Sequence, residues 1–188
     1  KMVPAVVKYL NQEKDPDLIV HGICFLRTTK GKDSLKCLMS LLKHESWQVR
    51  AEAAVGIGKH GGDRFDFDNR MNVRNGEADE AMKLQVEAYV ALLDLLEDKD
   101  AFVVAKAVEG LANADLAVAV EPLVKAAERH PDLATNVLKM LADGGKMRDK
   151  AIPHLRKFCK HEQARIRAAA IAALTSASPL TADEELLA

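Results

Sequence analysis

Leu42-Lys43-His44-Glu45-Ser46-Trp47-Gln48-Val49-Arg50 is written again, in altered letters, as Leu96-Glu97-Asp98-Lys99-Asp100-Ala101-Phe102-Val103-Val104 and as Cys159-Lys160-His161-Glu162-Gln163-Ala164-Arg165-Ile166-Arg167. Each copy has an apolar residue, a short polar stretch and a second apolar residue seven positions on. Each then runs into an Ala-rich apolar pattern: Ala53-Ala54, then Ala105 and Ala107, then Ala168-Ala169-Ala170. A phrase that returns in this way marks an internal repeat, and the repeat decides the fold.

Working outward, the apolar residue that opens each Ala-rich stretch serves as an anchor: Leu18, Val49, Val103, Leu133 and Ile166. Successive anchors lie about 30 to 33 residues apart, except from Val49 to Val103, where about 23 residues are added. Each unit reads as two helices, since Leu35, Leu38, Met39 and Leu42 fall on one face at helical spacing. The first helices are expected at about 2–11, 34–43, 79–97, 118–129 and 147–160, the second at about 17–28, 48–59, 102–113, 132–142 and 164–175. Asp15-Pro16, Ser46, Asp100 and Pro131 supply helix-start chemistry. Gly31, Gly61-Gly62 and Gly144-Gly145 follow second helices, where a left-handed residue costs glycine little. A pair of this length cannot bury its own apolar face, so neighbouring pairs must stack.

Composition agrees. Of 188 residues 48% are hydrophobic but only 4% aromatic, which favours close-packed helices over sheets. The net charge of -1 gives no global drive toward nucleic acid or an anionic surface. No apolar run approaches the roughly 20 residues of a membrane span. Cys24, Cys37 and Cys159 are widely spaced, read as small buried hydrophobes, and lean toward a reducing, cytoplasmic setting. The chain opens Lys1-Met2-Val3-Pro4, already inside a helical pattern, as a piece of a longer protein would.

The phrase Leu-x-(Asp/His)-x-x-x-x-Val-Arg, followed by an Ala-rich helix ending Ile57-Gly58, Leu111-Ala112 or Leu174-Thr175, resembles HEAT repeats, and the short period resembles their bilin-lyase-like class. First helices with an early proline, Val3-Pro4, Glu121-Pro122 and Ile152-Pro153, fit the same pattern. The resemblance implies an all-α, right-handed α-solenoid of about five HEAT-like helical hairpins, with units at about 2–30, 33–60, 79–114, 117–144 and 147–176. An insertion at 60–78 interrupts them. Residues 177–188, with the capping-box signature Thr181-Ala182-Asp183-Glu184, form a cap or a truncated helix.

Two chemistries are weighed against this grammar. His44-Glu45 and His161-Glu162 resemble the metal-binding dipeptides of HEAT-repeat di-iron hydroxylases, but in that family the dipeptide lies within the second helix, where this chain has Ala51-Glu52 and Ala168-Ala169. A polar turn residue that satisfies helix-end backbone groups explains both pairs and their Asp98-Lys99 counterpart. Asp63, Asp66, Asp68 and Glu77 miss the EF-hand spacing. HEAT-like DNA glycosylases need clustered aromatics and a basic stripe. The only basic run, over 146–167, is flanked by scattered aromatics, so nucleic acid is an alternative partner and not the first.

The reading that remains is a non-catalytic scaffold, without metal or cofactor, that holds a partner protein or peptide on its second helices or on the 60–78 insertion. The alternative is an enzyme, or an enzyme's accessory domain, of the bilin-lyase-like class. The insertion alternates Phe65 and Phe67 with polar residues and then Met71 and Val73, a pattern that fits a small hairpin. Trp47, Arg50, Phe65, Phe67 and Arg167 are the candidate partner-binding residues. Arg50 and Arg167 also admit a structural role, pairing with a neighbouring repeat's carboxylate.

Overall fold

A computed structural model describes residues 2–60, 76–112, 114 and 116–177. The proposed hairpin at 65–73, the glycines 61 and 62, and the capping box at 181–184 lie outside them. Among the described residues ten α-helices follow one another: α1 (Met2–Leu10), α2 (Pro16–Leu26), α3 (Lys32–Leu41), α4 (Trp47–His60), α5 (Gly76–Asp94), α6 (Ala101–Leu111), α7 (Val120–Arg129), α8 (Pro131–Asp143), α9 (Gly145–Phe158) and α10 (Ala164–Ala177). Short 3-10 turns, Leu95–Glu97 and Ala117–Ala119, follow α5 and precede α7. The fold is an all-α, HEAT/armadillo-like helical-repeat solenoid.

The chain forms two compact units, 1–114 and 115–188. In the first, α1, α3 and α5 make an outer layer, and α2, α4 and α6 an inner layer, with α4 on α6 the most extensive packing. In the second, α7 and α9 are outer and α8 and α10 inner, the inner pair again packing most closely. The cause is visible in the residues. α4 buries Val49, Ala51, Ala53, Ala54 and Ile57, and α6 buries Val103, Val104, Ala107 and Leu111. Small side chains let the helix axes approach. At the crossing the approach is closest: a Cβ added to Gly58 would stand 2.6 Å from the Gly110 Cα, and one added to Gly110 would stand 2.7 Å from the Ala54 carbonyl oxygen.

Outer helices bury longer side chains. α5 contributes Leu84, Ala88, Tyr89 and Leu92 from one face. Burial pushes the Tyr89 hydroxyl up to about 12, with Gln85 drawing the other way. Ser34, fully buried on α3, shares its hydroxyl with Thr29 at 3.3 Å. Cys24, Cys37 and Cys159 are free thiols; Cys37 is buried, and burial raises its pKa.

Two sequence expectations are corrected. Gly31 (φ 167°) and Gly144 (φ −68°) are extended, not left-handed. Gly144 is glycine for space, since a Cβ there would stand 2.8 Å from Met147 Cβ, which cannot swing aside. Leu18, read as an anchor, is 46% exposed, and Ile19 takes the core position.

Candidate interaction site

The site grows from the turns that precede the inner helices. Two residues before the first-turn boundary of four inner helices, α2, α4, α6 and α10, stands a side-chain acceptor. Glu13 accepts from the Asp15 N–H at 3.0 Å, His44 Nδ1 from Ser46 at 3.1 Å, Asp98 from Asp100 at 2.9 Å and His161 Nδ1 from Gln163 at 3.1 Å. Asp15 and Asp100 then cap their helices by accepting from Asp17 and Phe102, each at 2.9 Å. The repeated phrase is therefore backbone satisfaction, and both His-Glu pairs belong to it.

Arg50 ties one turn to the next. Its Nη1 donates to the His44 and Glu45 carbonyls at 2.9 and 2.8 Å, while Nε and Nη2 grip both oxygens of Asp98 at 2.7 and 3.0 Å. At 7% exposure, with four of its five donors used, Arg50 offers a partner little and serves to hold the first unit's stack in register. Burial pushes the Asp98 carboxyl up, but the bonds from Arg50 and the Asp100 N–H, with the Arg50 charge, hold it below the usual range.

On the outside of this clamp the same turns present an aromatic pair. Trp47 opens α4 and is 43% exposed; Phe102 lies in the first turn of α6 and is 48% exposed. Their rings meet edge to face, 5.3 Å apart at 78°. Lys106, one turn along α6, places its Nζ 5.5 Å from the Phe102 centroid and bonds Glu109 at 2.7 Å. Such an edge-to-face pair adds about 0.5–1.5 kcal/mol beyond its buried area, so the two rings form one preformed surface. Phe102 and Lys106 were not among the sequence candidates. The signal was present: Trp47 and Phe102 stand one and two places past aligned N-caps, which adjacent inner helices bring together.

The other candidates divide. Phe65 and Phe67 lie outside the described residues. Arg167 repeats the Arg50 geometry, with Nη1 on the His161 and Glu162 carbonyls at 2.9 and 2.7 Å, but stays half-exposed. Within the basic run Lys157 holds Glu128 at 2.7 Å, Arg165 holds Asp132 at 3.1 Å and Arg148 bonds the Ala142 carbonyl at 3.2 Å. These cations face carboxylates and carbonyls of their own unit, which does not make a phosphate stripe. A cavity of about 320 Å³ opens beside the contact of α8 with α10, lined by Thr135, Lys139, Ala142, Ala169, Ala172 and Ser176 among others. Among the described residues no helix is long and apolar enough to cross a membrane.

No family model matches the sequence, and no curated protein matches it significantly. Among solved structures the chain is similar to the complex of CpcE and CpcF of phycocyanin lyase from Nostoc sp. PCC7120, at 21% identity and a TM-score of 0.66, covering 95% of this chain and 66% of that one. The chain thus spans slightly under two thirds of that neighbour's length. A designed armadillo repeat protein in complex with the peptide (KR)4 matches at 20% identity and a TM-score of 0.42, covering 95% and 100% of the two chains. The likeness to the phycocyanin lyase complex shows the fold: the chain is built as a HEAT/armadillo-like helical repeat.

Proposed function

We propose that the protein is a non-catalytic interaction scaffold and that it holds a partner protein or peptide on the inner-helix side, with Trp47 and Phe102 as anchors. The observation that carries this reading is the exposed, preformed Trp47–Phe102 pair beside Lys106. Large rigid aromatics at a surface give contact area at little entropic cost, and they dominate measured binding hot spots. An apolar side chain on the partner, flanked by a carboxylate able to compete with Glu109 for Lys106, fits this surface. The 60–78 insertion, with Phe65 and Phe67, leaves the chain directly after α4 and is a second contact in the same proposal.

Trp47 is the chain's single tryptophan, so its emission reports this patch alone. Screening a peptide library against the purified chain, by Trp47 emission and by capture, tests the reading. A ligand that shifts the emission and is lost in the Trp47→Ala/Phe102→Ala double variant supports it. Ligands that bind the double variant equally well refute it.

The lyase reading rests on the shared fold, and one fold hosts many tasks. Bilin absorbance that shifts on mixing with this chain would favour it.

A further inference from the structure

Four turns share one bond but not one chemistry. Before α2 and α6 the acceptor is a carboxylate, Glu13 or Asp98; before α4 and α10 it is an imidazole, His44 or His161. The carboxylate turns have a second hold, because Asp15 and Asp100 accept from the first-turn N–H groups of Asp17 and Phe102. The imidazole turns do not repeat it. Ser46 gives its hydroxyl to Gln48 Oε1 at 2.7 Å, and Gln163 makes no side-chain bond to α10 among the described residues.

An imidazole nitrogen accepts a hydrogen bond only while it carries no proton. Ser46 and Gln163 donate to Nδ1, so the single proton of each neutral ring is on Nε2. A second proton would land on Nδ1 and face the N–H group that this atom now receives. Histidine is the side chain that takes such a proton between about pH 8 and 5, a range through which carboxylates ordinarily stay charged. Around His44, Arg50 donates to the His44 and Glu45 carbonyls, and Lys43 is a donor too. In the next turn Asp98 is gripped by Arg50, and Asp100 caps α6. Glu45 has no ion pair among the described residues. His161 stands likewise between Lys160 and Glu162, with Arg167 on its carbonyl and Phe158 stacked 6.1 Å away.

We propose that His44 makes the aromatic surface releasable by acid. Protonated at Nδ1, it lets go of the Ser46 N–H, the start of α4 loosens, and Trp47, the next residue, parts from Phe102. This rests on the reading of Trp47 and Phe102 as a binding surface and adds its regulation: a partner is held at neutral pH and released in acid.

Amide hydrogen exchange on the full 188-residue chain tests the switch without a ligand. The rate at Ser46, divided by the rate at Asp100, should rise about fivefold between about pH 7.5 and 5.5, as loss of one backbone hydrogen bond implies. Unfolding of the whole unit cancels in this ratio. The Trp47 emission maximum should move to the red over the same range. His44→Asp, which copies Asp98, should remove both responses. His161→Asp should leave them intact and remove only the matching response at Gln163. A ratio that ignores pH, as it would if Glu45 took over the Ser46 N–H, overturns the proposal, and so does a response that survives in His44→Asp. Peptides selected by Trp47 emission at about pH 7.5 separate the two readings. Capture that is unchanged in acid overturns this one alone. If no peptide is captured at either pH, the scaffold reading falls, and the Ser46 amide still decides the switch.

Discussion

Arg50 and Arg167 make the same two bonds to turn carbonyls, yet among the described residues only Arg50 has a carboxylate on its other edge. Removing one partner of a buried pair strands the other, at a cost of about 3–5 kcal/mol. Arg50→Gln and Asp98→Asn should each lose stability on this scale in urea unfolding. Arg167→Gln, which strands no charge, should lose about 1 kcal/mol. Because the Asp98 carboxyl is held below its ordinary value, its contribution is complete above the unfolded carboxylate pKa of about 4 and fades as pH falls through the lower folded value. His60 acts at higher pH. Its Nε2 lies 2.9 Å from the Leu26 carbonyl, which can only accept, so the ring donates. Burial lowers its pKa, outweighing the carbonyl bond, and Lys30 adds to the lowering. The unfolded chain therefore binds the proton more readily, and stability should fall as pH drops below about 6.5. His60→Gln should flatten that part of the stability curve.

Helices were legible because their apolar spacing is regular, and the turns because one acceptor stands at one position in four of them. Pairing of Arg50 with a neighbouring repeat's carboxylate was also legible from the register of the copies. Phe102 was not: within its own copy it reads as one more apolar residue, and only the neighbouring helix turns it into half of an aromatic pair. The glycines misled for a similar reason. Gly31 and Gly144 follow helices, but both are extended, and the glycines with a steric reason at a helix crossing are Gly58 and Gly110. Alanine in place of an open helical glycine usually adds up to about 1 kcal/mol. At Gly58 the methyl meets backbone atoms, which cannot step aside, so Gly58→Ala should lower stability by about 1–3 kcal/mol. Gly31→Ala, with nothing within 4 Å, should be close to neutral, and thermal melts of the two variants check both.

At the scale of the molecule, the proposed function assigns binding and stability to different side chains of the same turns. Trp47→Ala/Phe102→Ala should abolish peptide capture while changing unfolding free energy by no more than about 1–2 kcal/mol, because nearly half of each residue already lies in water. Arg50→Gln should do the reverse below its own unfolding transition. A variant set in which capture simply follows stability would refute the division. The Gly58–Gly110 clasp has a consequence for the history of the chain. It joins α4 to α6 regardless of what is threaded between them, and closing a longer loop across it adds only about 0.6 kcal/mol for each doubling of length. The 61–75 stretch between α4 and α5 can therefore be lengthened, shortened or exchanged from one lineage to another while the stack, α5 included, stays as it is. That leaves this junction as the place where such a protein can acquire a new specificity without rebuilding its frame.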